Sequence, residues 1–413
     1  MAARIALVHY TAPPVVGGVE VVLGAHARLF ADAGHEVRII AGRGRSTDPR
    51  IETATVALAG SRHPRVARAR SALNAGRVPA GFDGLVRELV DTLEGLVRDV
   101  DMLIVHNVAT LHFNLALTAA LHKVGGRPRA PAIVTWNHDI AAAMPWYEGE
   151  LHPGWPWDLV REPWPSATTV TISETRRADL VRVTGLAAEA IHVVPNGIDL
   201  EHHLRLHAAT RRLIDRLELE APGPILLTPS RLTPRKNVEL ALRVLAALRS
   251  SAPEARLIVT GAIDPHDASS RAYLERLEEL GARLGLADSV AFLSEEMRSR
   301  DAVAIVRDLY QLADMLLVPS RDEGFGLPLI EAAVARLPIV CPAIPALVEL
   351  AGNDATLFDP DASPADIARL IEGRLAPDPA YRFAARVRSN FTWSAIYRER
   401  IAPLVEELVA GRR

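Results

Sequence analysis

A chain of 413 residues is longer than one ordinary hydrophobic core serves, which points to two domains of about 200 residues each. With 49% hydrophobic residues and a formal net charge of −3, it can bury substantial cores and lacks the basic excess of a nucleic-acid-binding protein. Cys341 is the single cysteine, so no disulfide forms within the chain, and a reducing, cytoplasmic setting fits.

In chain order, RIALVHY (4–10) is a strand pattern at the very start, which predicts a chain without a signal peptide. The loop TAPPVVGGVE leads into a helix over VVLGAHARLFADAG, and HEVRIIAG follows as a second strand. MLIVHN (102–107), AIVTWNHD (132–139), TTVTIS (168–173) and IHVVPNG (191–197) complete a first block. Residues 102–122 are the least charged stretch, but His106, Asn107, His112 and Asn114 make them a strand and helix, not a membrane span. A second block holds PILLTPS (224–230), ARLIVTG (255–261), SVAFLS (289–294), MLLVPS (315–320) and PIVCPA (338–343), alternating with helices. This alternation predicts an α/β protein with two doubly wound, Rossmann-like domains of parallel strands. We place them at 1–200 and 217–390, facing each other across a central cleft, with a C-terminal helix (394–413) packing back on the first. PNGIDLEHHLRLHAATRR (195–212), opening on a Pro-Asn-Gly turn, reads as the linker.

Two loops in the second block carry chemistry. SRLTPRKN (230–237) puts Arg231 and Lys236 beyond the carboxyl end of a strand, at a helix start near Asn237. Cations converging with helix N–H groups make a phosphate site. Only two lysines, Lys123 and Lys236, occur among 47 basic residues, so a lysine in this loop has a reason to be there. RDEGFGLPLIE (321–331) reads as a glycine loop entering a helix, with Pro328 at the first helical position and Glu331 in the first turn. Glycine lets backbone N–H groups approach a ligand. Carboxylates repel phosphate but accept hydroxyls, so Glu323 and Glu331 would each grip a sugar-like ring.

SRLTPRKN with EGFGLPLIE resembles the C-terminal domain of retaining glycosyltransferases of family 4, and GGVE and VVPNGID extend the resemblance over nearly the whole chain. The resemblance implies the two-domain GT-B architecture and hexosyl transfer from a UDP-, GDP- or ADP-sugar to an acceptor hydroxyl, without a metal or a resident cofactor. By position, Arg231 and Lys236 would meet the donor diphosphate, Glu323 the donor sugar and Glu331 the nucleotide ribose. Gly324, Phe325, Gly326 and Leu327 would supply loop contacts. In the first domain, Gly17 and Gly18 form a loop set against the diphosphate or acceptor, and His138 resembles the histidine that contacts the transferred sugar. His106 and Asn107 are weaker candidates for the acceptor.

Other signals are weighed against plainer readings. Asp99 and Asp101 precede their strand and so face the wrong end of the sheet for a metal. Helix capping accounts for Asp359 and Asp361. His203 and His207 share a helix face at four-residue spacing but have no further ligand. The tryptophans Trp136, Trp146, Trp155, Trp157 and Trp164 either pack an irregular loop or stack on a sugar. Arg62, Arg65, Arg68, Arg70 and Arg77, with no acid among them, form a solvated face, recruit a small anionic acceptor or touch anionic lipid weakly. Two rivals remain: a nucleotide-sugar 2-epimerase of the same architecture and a non-catalytic sugar-nucleotide-binding module. A pyridoxal-phosphate phosphorylase would need a Schiff-base lysine; Lys236 is taken by phosphate and Lys123 only follows a helix.

Overall fold

The computed structural model describes residues 2–261 and 269–410, and it divides after Gly197 and again after Thr392 into two compact units. Unit 1 holds seven parallel strands: β1 (Arg4–His9), β2 (Glu36–Ala41), β3 (Ile51–Thr55), β4 (Met102–His106), β5 (Ala132–Asn137), β6 (Thr168–Thr171) and β7 (Ile191–Val193). Their order is β3-β2-β1-β4-β5-β6-β7. The crossovers include α1 (Gly18–Asp32), α2 (Pro64–Asn74), α3 (Phe82–Val97), α4 (Leu115–Gly125) and α5 (Glu174–Thr184).

Helices cover both faces of this sheet, so its strands are apolar without alternation. Ile5 and Leu7 of β1 join Leu23, Ala27 and Phe30 of α1, whereas Ala6 and Val8 join Leu89 and Leu93 of α3 on the other face. The α3 residues Leu85, Val86, Leu89, Leu93 and Val97 recur at helical spacing and form one buried stripe.

Unit 2 opens with α6 (Leu200–His203) and α7 (Ala208–Arg216). It continues through β8 (Ile225–Thr228), α8 (Val238–Leu248), β9 (Arg256–Val259), α9 (Ser269–Arg283), β10 (Val290–Phe292) and α10 (Ala302–Leu312). β11 (Met315–Leu317), α11 (Leu327–Val334), β12 (Ile339–Pro342), α12 (Pro345–Ala351), β13 (Thr356–Phe358), α13 (Pro364–Leu375) and α14 (Pro379–Asn390) complete it. The strand order is β10-β9-β8-β11-β12-β13, again all parallel.

Several expectations change here. Residues 195–212 are not a linker: the units divide after Gly197, and Ala209 of α7, with Leu213 and Ile214 after it, is buried in the core of unit 2. His203 ends α6 and His207 lies beyond it, so the two share no helix face. Ser363, not an aspartate, caps α13. Trp136, Trp157 and Trp164 are core residues, while Trp146 and Trp155 are exposed. After Thr392 the chain returns to unit 1 through α15 (Trp393–Ile396), a π-helical turn at Tyr397–Ile401, and α16 (Ala402–Ala410). Trp393, Ile396, Ile401 and Leu404 bury against the α1 face, and residues 411–413 lie outside the described ones. Among the described residues, no helix is long and apolar enough to cross a membrane.

Each sheet reverses its strand order once, between β1 and β4 in unit 1 and between β8 and β11 in unit 2. At such a reversal the flanking crossovers leave on opposite faces and open a crevice beyond the carboxyl ends of the two strands.

The core of unit 1 also encloses imidazoles. The His26 ring packs edge-on to Trp136 and Trp393, at 4.6 and 5.2 Å between centroids, and lies 5.2 Å from His106. Burial, with His138 nearby, lowers the His26 pKa to about 3; burial, with His9, lowers that of His138 to about 4. Both folded values lie below the ordinary 6.5, so the unfolded chain binds more protons and stability falls as pH drops below about 6.5. Each histidine is expected to cost about 2 kcal/mol between pH 7.5 and pH 5. Urea unfolding across this range checks it. His26→Leu should make the slope shallower by about 1.4 kcal/mol per pH unit.

Candidate active site

In unit 2 the reversal between β8 and β11 brings two loops together. After β8 the chain passes Arg231, makes a 3₁₀ turn at Pro234–Lys236, and reaches Asn237 with φ 50° before α8 begins. After β11 it passes Ser320 and Glu323 and reaches Gly326 at the start of α11. The Asn237 side chain donates to the Pro319 carbonyl at 3.2 Å, and the Arg321 amide donates to the Arg235 carbonyl at 2.9 Å. Within this frame Lys236 Nζ lies 2.6 Å from Glu323 Oε1, which also accepts from the Ser320 hydroxyl at 2.7 Å. The pair is largely withdrawn from water, with side-chain exposures of 14% for Lys236 and 7% for Glu323.

This alters the reading of Glu323. It is not a lone acceptor waiting for a sugar; one oxygen already neutralises Lys236. Arg231 lies at the exposed rim of the same loop. Gly326 has φ 98°, a conformation that favours glycine, and a Cβ there would press on the end of the Leu347 side chain at 2.7 Å. α11 starts there without a side-chain cap; Pro328 has no N–H and the Leu329 amide donates to the Gly326 carbonyl at 2.9 Å, so of its first three residues only Leu327 has an amide outside these constraints. Leu327 is its first residue and Pro328 its second, and Glu331 is the fifth, so Glu331 stands just past the first turn. Gly324, Phe325 and Leu327 are exposed around this start.

Sequence reasoning missed Tyr310. Its hydroxyl, on α10, donates to Glu331 Oε2 at 2.6 Å and leaves Oε1 outside that bond. Tyr310 is buried and belongs to the apolar stripe of α10, so its spacing reads as core. Burial, with the hydrogen bond to Glu331, pushes its pKa far up and keeps it a donor.

In unit 1 the reversal between β1 and β4 opens a cavity of about 580 Å³ lined by His9, Thr11, Glu20, Asn107 and Asp139, among others. Gly17 caps α1 and Gly18 is its first residue. A Cβ on Gly17 would fall 2.1 Å from the Glu20 carboxylate, so glycine makes room for that acid. Thr11 donates to Glu20, and His9 Nε2 lies 4.0 Å from the same oxygen. His9 Nδ1 donates to the His106 carbonyl at 2.8 Å. Burial holds the His9 pKa down, against the pull of that carbonyl and of Glu20.

The three remaining unit 1 candidates separate. His106 is fully buried, its ring stacked on Trp136, and it does not reach the cavity. Asn107 is a clamp: Oδ1 accepts from the amides of His138 (3.0 Å) and Asp139 (2.8 Å), and Nδ2 donates to Asp139 at 3.0 Å. Its φ of 53° turns the chain sharply off β4. His138 is held by that clamp, buried, with Nε2 unpartnered among the described residues. The aspartates of the D-x-D pattern serve the fold: Asp99 pairs with Arg38 and Asp101 with Arg4. Among the described residues no group of three or more histidines, cysteines or acids could hold a metal ion.

Two doubly wound units, each with polar groups gathered at its strand reversal, are the pair of Rossmann-like halves that the GT-B architecture denotes. Two family models match in succession, "Glycosyltransferase Family 4" over residues 16–202 and "Glycosyl transferases group 1" over 210–384. The chain belongs to glycosyltransferase family 4. It is 33% identical over 211 residues to a D-inositol 3-phosphate glycosyltransferase of Streptomyces bingchenggensis, covering 50% of this chain and 44% of that one. It is 30% identical over 243 residues to a mannosylfructose-phosphate synthase of Agrobacterium fabrum, covering 56% and 50%. These matches thus span about half the length of the curated relatives. A solved sucrose-phosphate synthase from Thermosynechococcus elongatus aligns over 99% of this chain and 100% of its own, at 19% identity and a TM-score of 0.39.

The Lys236–Glu323 pair sets a stability test. Lys236→Met strands a buried carboxylate and should cost about 3 kcal/mol, and adding Glu323→Gln should restore most of it. Urea unfolding of the two single variants and the double checks this. Additive losses would mean that the two side chains do not depend on each other.

Proposed function

We propose that the chain is a retaining hexosyltransferase that uses a nucleoside-diphosphate sugar without a metal or a resident cofactor. Unit 2 is the donor half in this reading. The Lys236–Glu323 pair at the reversal of the sheet, beside the uncapped start of α11, is the observation that carries it. Lys236, Arg231 and the glycine loop at the start of α11 meet the diphosphate. Their positive charge is fixed before reaction, so it stabilises the charge that grows on the leaving phosphate. Glu331, oriented by Tyr310, accepts the ribose hydroxyls. Lys236 stands between the Glu323 carboxylate and the diphosphate, which leaves Glu323 Oε2 for a hydroxyl of the transferred sugar. Glu323 is already ion-paired and is a poor candidate for a free nucleophile, which supports attack from the face that the diphosphate leaves. Its oxygen then takes the proton of the acceptor hydroxyl. The unit 1 cavity, with Glu20, Thr11 and Asp139, is the acceptor half.

A thermal-shift screen with UDP-, GDP- and ADP-sugars tests the donor half, since a bound donor raises the melting temperature by mass action. Release of nucleoside diphosphate only when an acceptor is present separates transfer from epimerisation and from mere binding. Activity should survive EDTA; complete loss reversed by a metal would overturn metal independence. Tyr310→Phe removes one hydrogen bond to Glu331 and should weaken donor affinity by roughly three- to tenfold with kcat nearly unchanged. An equal fall in kcat would instead place Tyr310 in the chemical step.

A further inference from the structure

We propose that His9 is a ligand-contacting residue of the unit 1 cavity, where its Nε2 and the Glu20 carboxylate each accept a hydrogen bond from one hydroxyl of a vicinal diol. His9 ends β1, where its place in an apolar run reads as core, so no spacing in the sequence marks it. That the diol belongs to the sugar acceptor rests on the proposed transferase; the two-point site stands on its own geometry.

The first observation is the fixed tautomer of His9. Its Nδ1 lies 2.8 Å from the His106 carbonyl oxygen, which can only accept, so Nδ1 carries the proton and Nε2 presents a lone pair. The residue is 5% exposed, and its ring is held 4.9 Å from that of Tyr10 between centroids, yet it lines the cavity. Burial holds its pKa below the ordinary value, against the pull of the carbonyl and of Glu20, so the lone pair is available at neutral pH. Glu20 Oε1 lies 4.0 Å from Nε2, too far for a hydrogen bond, and among the described residues Nε2 has no other polar partner.

The second observation is the state of Glu20. Its side chain is 13% exposed, its Oε1 accepts from the Thr11 hydroxyl, and among the described residues no arginine or lysine pairs with it. Asp48 and Asp179, comparably withdrawn at 16% and 17%, each pair with an arginine. Glu20 also lines the cavity, so its carboxylate keeps acceptor capacity on the side open to a ligand.

Two acceptors therefore face each other across 4.0 Å with no proton between them. Withdrawn acceptors left unsatisfied are costly, so a ligand that donates to both is favoured. A single hydroxyl has one proton and satisfies only one of them. Two hydroxyls on adjacent ring carbons supply two, each able to stand at roughly 2.8 Å from its own acceptor. An ammonium group would also donate to both, but Arg43 and Arg62 line the same cavity and oppose a cation there. The volume of about 580 Å³ admits a ring of this kind.

Ligand-detected NMR titrations of the full chain test this with three probes: 1,2,3-cyclohexanetriol, whose hydroxyls are adjacent, 1,3,5-cyclohexanetriol, whose hydroxyls are not, and cyclohexylamine. The 1,2,3 isomer should bind about fivefold or more tightly than the 1,3,5 isomer. His9→Asn keeps a donor at the Nδ1 position for the His106 carbonyl and removes the acceptor at Nε2, whereas His9→Gln keeps an acceptor near Nε2 and loses that donor. The asparagine variant should lose the preference while its urea midpoint stays near that of the unmodified chain, and the glutamine variant should retain the preference. Glu20→Gln should weaken binding of the 1,2,3 isomer by about tenfold. A histidine that only supports the fold would behave in reverse, with stability falling in the glutamine variant and the preference intact in both. That pattern, equal binding of the two triols, a preference unchanged by Glu20→Gln, or tighter binding of cyclohexylamine than of either triol overturns the inference. Failure of the proposed function shows up elsewhere, as absence of any donor-induced thermal shift in the unmodified chain.

Discussion

A parallel sheet covered by helices on both faces leaves few places for polar side chains. Residues within the strands face one apolar core or the other, so chemistry collects in the loops beyond their carboxyl ends. Both sheets here obey that constraint. β1 and β4 bury every residue of their central runs, and the groups just past them, Tyr10, Thr11 and Asn107, line the unit 1 cavity. β8 and β11 do the same, and the Lys236–Glu323 pair follows. Strand order then selects which loops matter, because only at the reversal do adjacent loops diverge enough to admit a ligand.

Charge placed in such a crevice must be balanced before a ligand arrives. An unpaired ammonium or carboxylate with this little exposure carries a desolvation penalty of several kcal/mol. Unit 2 meets that penalty internally, since Glu323 neutralises Lys236 and Ser320 satisfies part of the carboxylate. The arrangement keeps the lysine extended and positioned, so an incoming diphosphate meets a preorganised cation. Unit 1 meets it differently: Glu20 and Asp139 are hydrogen-bonded by neutral partners, and the arginines remain at the exposed rim, where water screens them.

Much of this was legible from the sequence alone. Buried parallel strands appear as continuous apolar runs, so the alternation of strands and helices and both doubly wound blocks could be read directly. β3 was not, because IETAT is an edge strand with exposed polar positions and too few apolar residues to stand out. The loops of unit 2 were legible because glycine, proline and scarce lysine are conspicuous there. The bond between Lys236 and Glu323 was not, since it joins residues 87 positions apart and no periodicity reports it. His106 misled for a related reason: a histidine at a strand end suggests a polar task, but Trp136 and His26 enclose this ring in the core. The segment 195–212 looked like a linker because its Pro-Asn-Gly turn and charged residues hid the start of a short amphipathic helix.

The two crevices also share a logic that follows from the ligands they suit. A phosphate needs cations and amide N–H groups, and a sugar needs acceptors for its hydroxyls; one surface cannot serve both without cancelling its own charge. Separation solves this. In unit 2 the cations lie on the loop after β8 and the helix start after β11, while Glu331 stands one turn into α11, held by Tyr310. In unit 1 Glu20, in the first turn of α1, and Asp139, just past β5, line the cavity together with Arg43 and Arg62. Both crevices therefore gather acceptor-only carboxylates beside cationic donors at a strand reversal, although no residue is common to them.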